Sequence, residues 1–260
     1  MELAGSSAIV TGGASGLGEA TSRALAAAGS RVVVLDVNAE LAEKVAAEVG
    51  GVAVVADVAD PEQVSAAVAA AQNLAPLRVL VNSAGISRAQ RTVSADGTPF
   101  ALDVFEHVLR VNLVGTFNCV RLAASAMSAN EPLDSGERGS ILNTASAAAF
   151  DGQVGQCAYA ASKGGIVGLT LPLARDLAAI GVRVNTIAPG LFDTPIYGTG
   201  EAAENKKQQL GESVVFPRRL GDASEFADLA ISLLTNSYMN GEVVRIDGGI
   251  RLPPKSYLKK

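Results

Sequence analysis

Residues 7–36 read SAIVTGGASGLGEATSRALAAAGSRVVVLD. The short apolar run Ser7–Val10 leads at once into Thr11-Gly12-Gly13-Ala14-Ser15-Gly16-Leu17-Gly18, and a helical pattern carries on from Glu19 through Ala28. Arg31-Val32-Val33-Val34-Leu35-Asp36 is then a β-branched run ending in an acid. A strand, a glycine-rich turn, a helix and a second strand open an α/β fold. Glycine lets the backbone approach a phosphate closely, and the free N–H groups and dipole of a helix N-terminus favour negative charge. The turn is therefore a candidate anion site, although its Gly-x-x-x-Gly-x-Gly spacing departs from the general G-x-G-x-x-G fingerprint. Asp36 lies eighteen residues after Gly18, close to where a carboxylate meets the ribose of a dinucleotide. Such a carboxylate accepts hydrogen bonds from the ribose hydroxyls of NAD and repels a 2′-phosphate. No basic residue stands inside the turn or directly after Asp36, so NAD is expected over NADP. Asp36 also suits the N-cap of a helix over NAELAEKVAAEV, a role compatible with the first.

The alternation continues outward from this unit. VAVVA (52–56) reads as a strand leading to Asp57-Val58, followed by a helix from about Asp60 to Asn73 with Pro61 in its first turn. RVLVN (78–82) is a buried strand ending in Asn82-Ser83-Ala84-Gly85. A long helical stretch from about Phe100 to Met127 contains Asn112, and a strand over Gly139 to Ser146 follows. Val182 to Ala188 is a strand ending in Pro189-Gly190, and a helix over Ala223–Leu234 and the strand VVRID (243–247) come last. Strands alternating with helices imply a parallel sheet covered on both faces, whose ligands bind beyond the carboxyl ends of the strands. Gly12, Asp36, Asp57, Asn82, Ser146 and Pro189 all follow strands, so one crevice is expected to gather them.

The chemistry is expected around residues 146–165, SAAAFDGQVGQCAYAASKGG. Tyr159 and Lys163 stand four apart in a segment that suits a helix, so they share one face. A tyrosine ionises near pKa ~10 in water, and an adjacent ammonium in a partly dry site favours the phenolate. Ser146, thirteen positions upstream, can hydrogen-bond the same substrate oxygen. Such a trio can carry a proton to or from an alcohol or carbonyl. Tyr-x-x-x-Lys alone also occurs in helices with no catalytic role.

Composition narrows the classes. The 260 residues are 48% hydrophobic, contain no Trp and read as one domain over residues 1–260 with a large core. A net charge of −5 argues against non-specific binding to nucleic acid or anionic membranes. Cys119, Cys157 and a single histidine form neither a disulfide framework nor a metal set, and both cysteines are expected to be buried. The opening MELAGSSAIV has no basic n-region and no apolar run reaches membrane length, so a cytoplasmic setting is expected.

Taken together, the chain resembles the short-chain dehydrogenase/reductase family over nearly its whole length. The matching motifs are Thr11-Gly12-x-x-x-Gly16-x-Gly18, Asp57, Asn82-x-Ala84-Gly85, Asn112, Ser146, Tyr159-x-x-x-Lys163 and Pro189-Gly190, in that order. The resemblance implies a single Rossmann-type doubly wound domain with a seven-stranded parallel sheet, assembled as a homotetramer. It implies Tyr159 as general acid/base, with Lys163 lowering its pKa and binding the nicotinamide ribose. Ser146 would hold the substrate oxygen, and Asn112 would help keep a water that relays protons to Lys163. Asp57-Val58 would contact the adenine, and Asn82-Ala84-Gly85 would support the cofactor crevice. Pro189, Gly190, Leu191, Phe192 and Thr194 would lie against the carboxamide.

Longer stretches, including GSILNTASAAAFDGQVGQCAYAASKGG, APGLFDTPIY and NGEVVRIDGGIRLPP, are similar to one branch of that family. It comprises the short-chain (type 2) 3-hydroxyacyl-CoA dehydrogenases, also called 17β-hydroxysteroid dehydrogenases type 10. The branch implies an (S)-3-hydroxyacyl-CoA thioester as small-molecule substrate, with Gln153 and Gln156 near it. A 3-oxoacyl-carrier-protein reductase, a dehydrogenase of steroids or other secondary alcohols, and a cofactor-bound scaffold are the alternatives. Lys206, Lys207, Arg218 and Arg219 can meet the phosphates of coenzyme A or form a solvated charge run. His107 is expected to serve packing or surface, 131–139 a surface loop, and the tail KSYLKK to fray.

Overall fold

The computed structural model describes residues 1–198 and 200–255, apart from the side chain of Ile196; residues 256–260 of the basic tail lie outside the described residues. Seven described segments are strands: β1 (Ser7–Thr11), β2 (Arg31–Asp36), β3 (Val52–Val55), β4 (Leu77–Asn82), β5 (Gly139–Thr144), β6 (Val182–Pro189) and β7 (Val243–Ile246). They pair in parallel as one sheet in the order β3-β2-β1-β4-β5-β6-β7. β1, β5 and β6 are buried along their whole length, which is why their apolar runs are continuous rather than alternating.

Alternate side chains feed two layers. Ile9, Leu80, Ile141 and Val184 pack with α3 (Pro61–Leu74), α5 (Gly115–Ser128) and α6 (Cys157–Ala178). Val10, Val81, Leu142 and Ile187 pack on the opposite face with α1 (Gly16–Ala27), α2 (Ala39–Val49) and α8 (Ala223–Thr235). The chain runs outward from β1 to β3 and then returns to the other flank of β1 as β4. That reversal opens a crevice at the carboxyl ends of β1 and β4.

Expectations are refined or corrected at several places. The long helical stretch forms as expected, as α4 (Leu102–Leu109) and α5 joined by a π turn, Arg110–Val114, with Asn112 at the turn's centre and fully buried. A π turn is an insertion into a helix, and it commonly marks a functional position. A further helix, α7 (Glu201–Glu212), forms where none was expected, because EAAENKKQQLGE is largely polar and carries little apolar periodicity. Asn38, not Asp36, caps α2, its side chain accepting from Leu41 N at 3.0 Å. The 131–139 loop is not surface throughout: Glu137 is buried and pairs with buried Arg183 of β6 (Nε–Oε1 2.5 Å). Of the two cysteines only Cys119 is buried; Cys157 begins α6 on its solvent side. No described helix is long and apolar enough to cross a membrane.

Candidate active site

A cavity of about 580 Å³ occupies the crevice. Its floor is the glycine turn, where Gly12, Ser15, Gly16, Leu17 and Gly18 face the open space. Gly12 has φ +62°, and a Cβ there would lie 2.8 Å from the Ala84 backbone. Gly18 packs against the Gly12 carbonyl with no room for a side chain. Gly16 closes the floor against Thr194 from the far wall, 3.3 Å from where its Cβ would be. Ser15 precedes α1 in an extended conformation without a side-chain cap bond, so nothing from its own side chain covers the first N–H groups of the helix.

Asp36 ends β2 at the cavity wall. Its Oδ2 accepts from Ala14 N at 3.2 Å and its Oδ1 from Asn38 N at 3.0 Å, which holds the carboxylate against the glycine turn. Asp57 and Val58 line the next segment; the Asp57 carboxylate accepts from Ala59 N at 2.9 Å, and the Val58 side chain packs against Gly115 of α5. Ala84 and Gly85 line it as well, while Thr11 and Asn82 lie beneath as supports. Thr11 Oγ1 accepts from Ser83 N and Ala84 N, each at 3.2 Å, and Asn82 Nδ2 donates to Asn143 Oδ1 at 2.9 Å.

Tyr159 and Lys163 reach the cavity from the first two turns of α6, with Nζ 5.9 Å from the phenol ring centroid. Lys163 is buried, and Nζ donates to Thr144 O at 2.7 Å. Burial pushes its ammonium down to about 8. Burial raises the Tyr159 phenol above its ordinary value, and a hydrogen bond with Ser146 works against that rise. The expected lowering by the ammonium is thus not the leading effect; burial of the phenol is. Ser146 follows β5, and its Oγ accepts from Ala148 N at 3.1 Å.

Asn112 stands behind this group. Its Oδ1 accepts from Ile86 N at 2.8 Å, and its Nδ2 donates to Ile86 O at 2.9 Å and to Ser162 Oγ at 3.0 Å. Both side-chain N–H groups therefore have protein partners, and the amide ties the β4 extension to α6. A Cβ on Gly85 would lie 3.3 Å from Asn112 Oδ1 and 3.5 Å from Lys163 Nζ, so these three residues do converge.

Other expected site residues lie elsewhere. Pro189 and Thr194 line the cavity, but Gly190 is packed tightly against Asp247. Leu191 and Phe192 line a separate cavity of about 150 Å³, and the Phe192 ring stands edge-on to Phe226 at 6.3 Å. Gln153 Nε2 donates to Pro253 O at 3.0 Å, and Gln156 Oε1 accepts from Gln153 N at 3.2 Å. Arg219 forms two 2.8 Å bonds with Glu225, and Lys207 is 2.9 Å from both Asp193 and Glu204, so neither is a free charge for a phosphate.

Sequence reasoning missed several partners. His107, expected to be packing or surface, is exposed and borders the cavity. Thr144 and Ser162 hold Lys163 and Asn112, yet one acts through its carbonyl and the other is one serine among many, so neither carries a sequence signal. Tyr197 is pushed up to about 12 by burial, with Tyr159 and Asp193 adding to the rise.

A glycine floor without room for side chains, open helix N–H groups and a carboxylate beside them fit a dinucleotide: pyrophosphate over the turn and ribose at Asp36. The chain matches the short chain dehydrogenase family model over residues 6–205. It is 49% identical over 251 residues to the human protein named 3-hydroxyacyl-CoA dehydrogenase type-2, covering 95% of each chain. It is 47% identical over 250 residues to the Drosophila melanogaster protein of the same name, covering 95% of this chain and 97% of that one. The crystal structure of 3-hydroxyacyl-CoA dehydrogenase type-2 from Mycobacterium avium superposes with a TM-score of 0.93 at 47% identity, covering 96% of this chain and 98% of that one.

Proposed function

Because the chain belongs to the short-chain dehydrogenase family, an oxidoreductase family that uses a nicotinamide cofactor, we propose that it interconverts (S)-3-hydroxyacyl-CoA and 3-oxoacyl-CoA with NAD. The observation that carries this reading is the meeting of Tyr159 and Lys163 at one end of a crevice whose other end is bounded by Asp36, with Ser146 hydrogen-bonded to Tyr159. The names of the relatives support the thioester substrate, and the Asp36 carboxylate beside the glycine turn supports NAD over NADP.

The bound nicotinamide supplies the hydride acceptor or donor. Gly12, Ser15, Gly16, Leu17 and Gly18 would bind the phosphates, Asp36 the adenosine ribose, and Asp57 and Val58 the adenine, with Ala84 and Gly85 lining the crevice toward Lys163. Ser146 orients the substrate oxygen. In reduction Tyr159 donates its proton to that oxygen as negative charge develops; in oxidation it takes the proton back. Burial, which keeps the phenol neutral, suits the donor role, and a charged Lys163 5.9 Å from the ring would favour the phenolate needed for the reverse. Asn112 acts through position, holding Ile86 against α6. One domain over residues 1–260 does both jobs, in a cytoplasmic homotetramer without nucleic-acid partners. Exposed Phe117 on α5 and Leu171 on α6 supply apolar surface for the assembly.

The test is NADH oxidation by the purified protein with acetoacetyl-CoA, run beside NADPH and beside ethyl acetoacetate. Turnover with NADH and the thioester is expected, and Tyr159→Phe should lower it about 10²–10⁴-fold. Preference for NADPH would remove the role of Asp36, and turnover of the simple ester alone would move the substrate to the wider family.

A further inference from the structure

The segment 150–156 joins Ser146 to the helix that carries Tyr159 and flanks the crevice, Gly155 O accepting from Gln90 N at 2.9 Å just beyond cavity-lining Ile86, and its other contacts come from the far end of the chain. Arg245, on edge strand β7, donates from Nη2 to Asp151 Oδ2 at 2.7 Å and from Nε to Asp247 Oδ2 at 2.7 Å. Its Nη2 also donates to Ile250 O at 3.2 Å, and its guanidinium lies 5.2 Å from the centroid of the Phe150 ring. The side chains of Arg245, Asp151 and Asp247 are 20%, 17% and 9% exposed, so the cluster is largely shielded from water. Beyond it, Val154 N donates to Pro254 O at 2.9 Å and Gln153 Nε2 to Pro253 O at 3.0 Å. The stretch from Asp247 to Pro254 is thus a strap, closed by Arg245 and laid along the loop.

We propose that Arg245 is a positioning residue for the substrate side of the crevice, holding the 150–156 loop through Asp151 and the strap so that the acyl-CoA is seated against Ser146 and Tyr159. The inference rests on the acyl-CoA reading for the identity of the substrate, and on contacts alone for the role of Arg245. The reacting groups have other anchors. Lys163 is held by Thr144 O, and α6 is held at Ser162 by Asn112. The glycine turn and Asp36 are built on β1 and β2, away from the strap, which comes near the crevice wall where Asp247 packs on Gly190 beside Pro189. Loosening the loop therefore misplaces the substrate while the proton-transfer groups and the cofactor keep their seats.

The experiment compares wild type with Arg245→Met, Arg245→Lys and Asp151→Asn. NADH affinity is read by cofactor fluorescence, and KM and kcat are read with acetoacetyl-CoA. Arg245→Met should raise the KM for acetoacetyl-CoA about tenfold, with kcat within about threefold and NADH affinity unchanged. Arg245→Lys keeps a charge without the fork and should recover part of the loss. Unchanged KM, or NADH affinity falling in step with it, overturns the proposal. Should Arg245→Met fail to fold, Asp151→Asn decides: it keeps the shape and weakens the pair, so its KM must rise in the same direction. If wild type ignores the thioester but reduces ethyl acetoacetate, the acyl-CoA reading fails and the variants are read on the ester, where an unchanged KM again overturns the role of Arg245. Wild type inactive on both substrates overturns the two together.

Discussion

Lys163 is the residue at which chemistry and stability pull apart. It sits among buried groups with one backbone carbonyl as its hydrogen-bond partner, and burial lowers its ionisation from 10.5 to about 8. In the unfolded chain it holds its proton up to the ordinary value, so between about pH 8 and 10.5 the unfolded state binds more protons than the folded one. Stability from this group therefore rises with pH across that window, and below it the buried ammonium is a net cost. Melting temperatures of wild type and Lys163→Met taken across the window should converge or cross in favour of wild type as pH rises. A difference independent of pH would mean that the lysine is not ionised as its burial requires. The i, i+4 spacing made the Tyr159–Lys163 pair legible from sequence, but the direction of the tyrosine's shift was not. That direction is set by burial of the phenol, with the Ser146 hydrogen bond opposing it, and only the fold decides how deeply the ring is buried.

Among the elements, the helical stretch around Asn112 shows how one turn organises a site. A regular helix through residues 102–128 would rotate Asn112 away from Ile86. The π turn at Arg110–Val114 leaves it buried between Ile86 and Ser162, with three hydrogen bonds. Replacing Asn112 by Leu should leave the part-buried Ile86 backbone N–H and C=O without their partner, at a cost of at most about 1–3 kcal/mol for each group. It should also lower kcat more than it weakens NADH binding, because the cradle at the glycine turn is built on other elements. Urea titration and steady-state kinetics on the one variant check both parts; full kcat in a destabilised protein would reduce the turn to a packing feature. The glycine turn was legible because each glycine answers to a local need. α7 was not, since its sequence has no apolar stripe and its contacts set its place.

At the scale of the whole molecule, the sheet is closed at the end away from the crevice by a buried ion pair. Glu137, at the end of the 131–139 loop, receives Arg183 of β6, whose guanidinium also donates to Leu233 O, Leu234 O and Met239 O. Burial alone would raise the Glu137 carboxyl, but hydrogen bonds from Ser237, Arg183 and Ser135 outweigh it and hold the group at about 2. Its folded value is depressed, so its stabilisation is present above the ordinary 4.5 and is lost as pH falls from there toward about 2. Arg183→Met leaves that buried carboxylate with only the Met1 ammonium, 3.6 Å away, as its cation, and should cost up to about 3–5 kcal/mol in denaturant unfolding. It should also move acid unfolding to higher pH. A loss below about 1 kcal/mol would show the pair to be no stronger than a surface bridge.

The amino-acid sequence by itself determined what depends on neighbours along the chain. The alternation of strands and helices, the glycine turn, the acid that ends β2 and the shared helical face of Tyr159 and Lys163 all follow from local sterics and periodicity. Only the tertiary structure decided what depends on segments far apart in the chain. Asn112 and Ile86 are 26 residues apart, Lys163 and Thr144 19, and Arg245 and Asp151 94. A hydrogen bond across such a gap has no period to betray it, because the fold supplies the second partner and the chain between them leaves no pattern at either end.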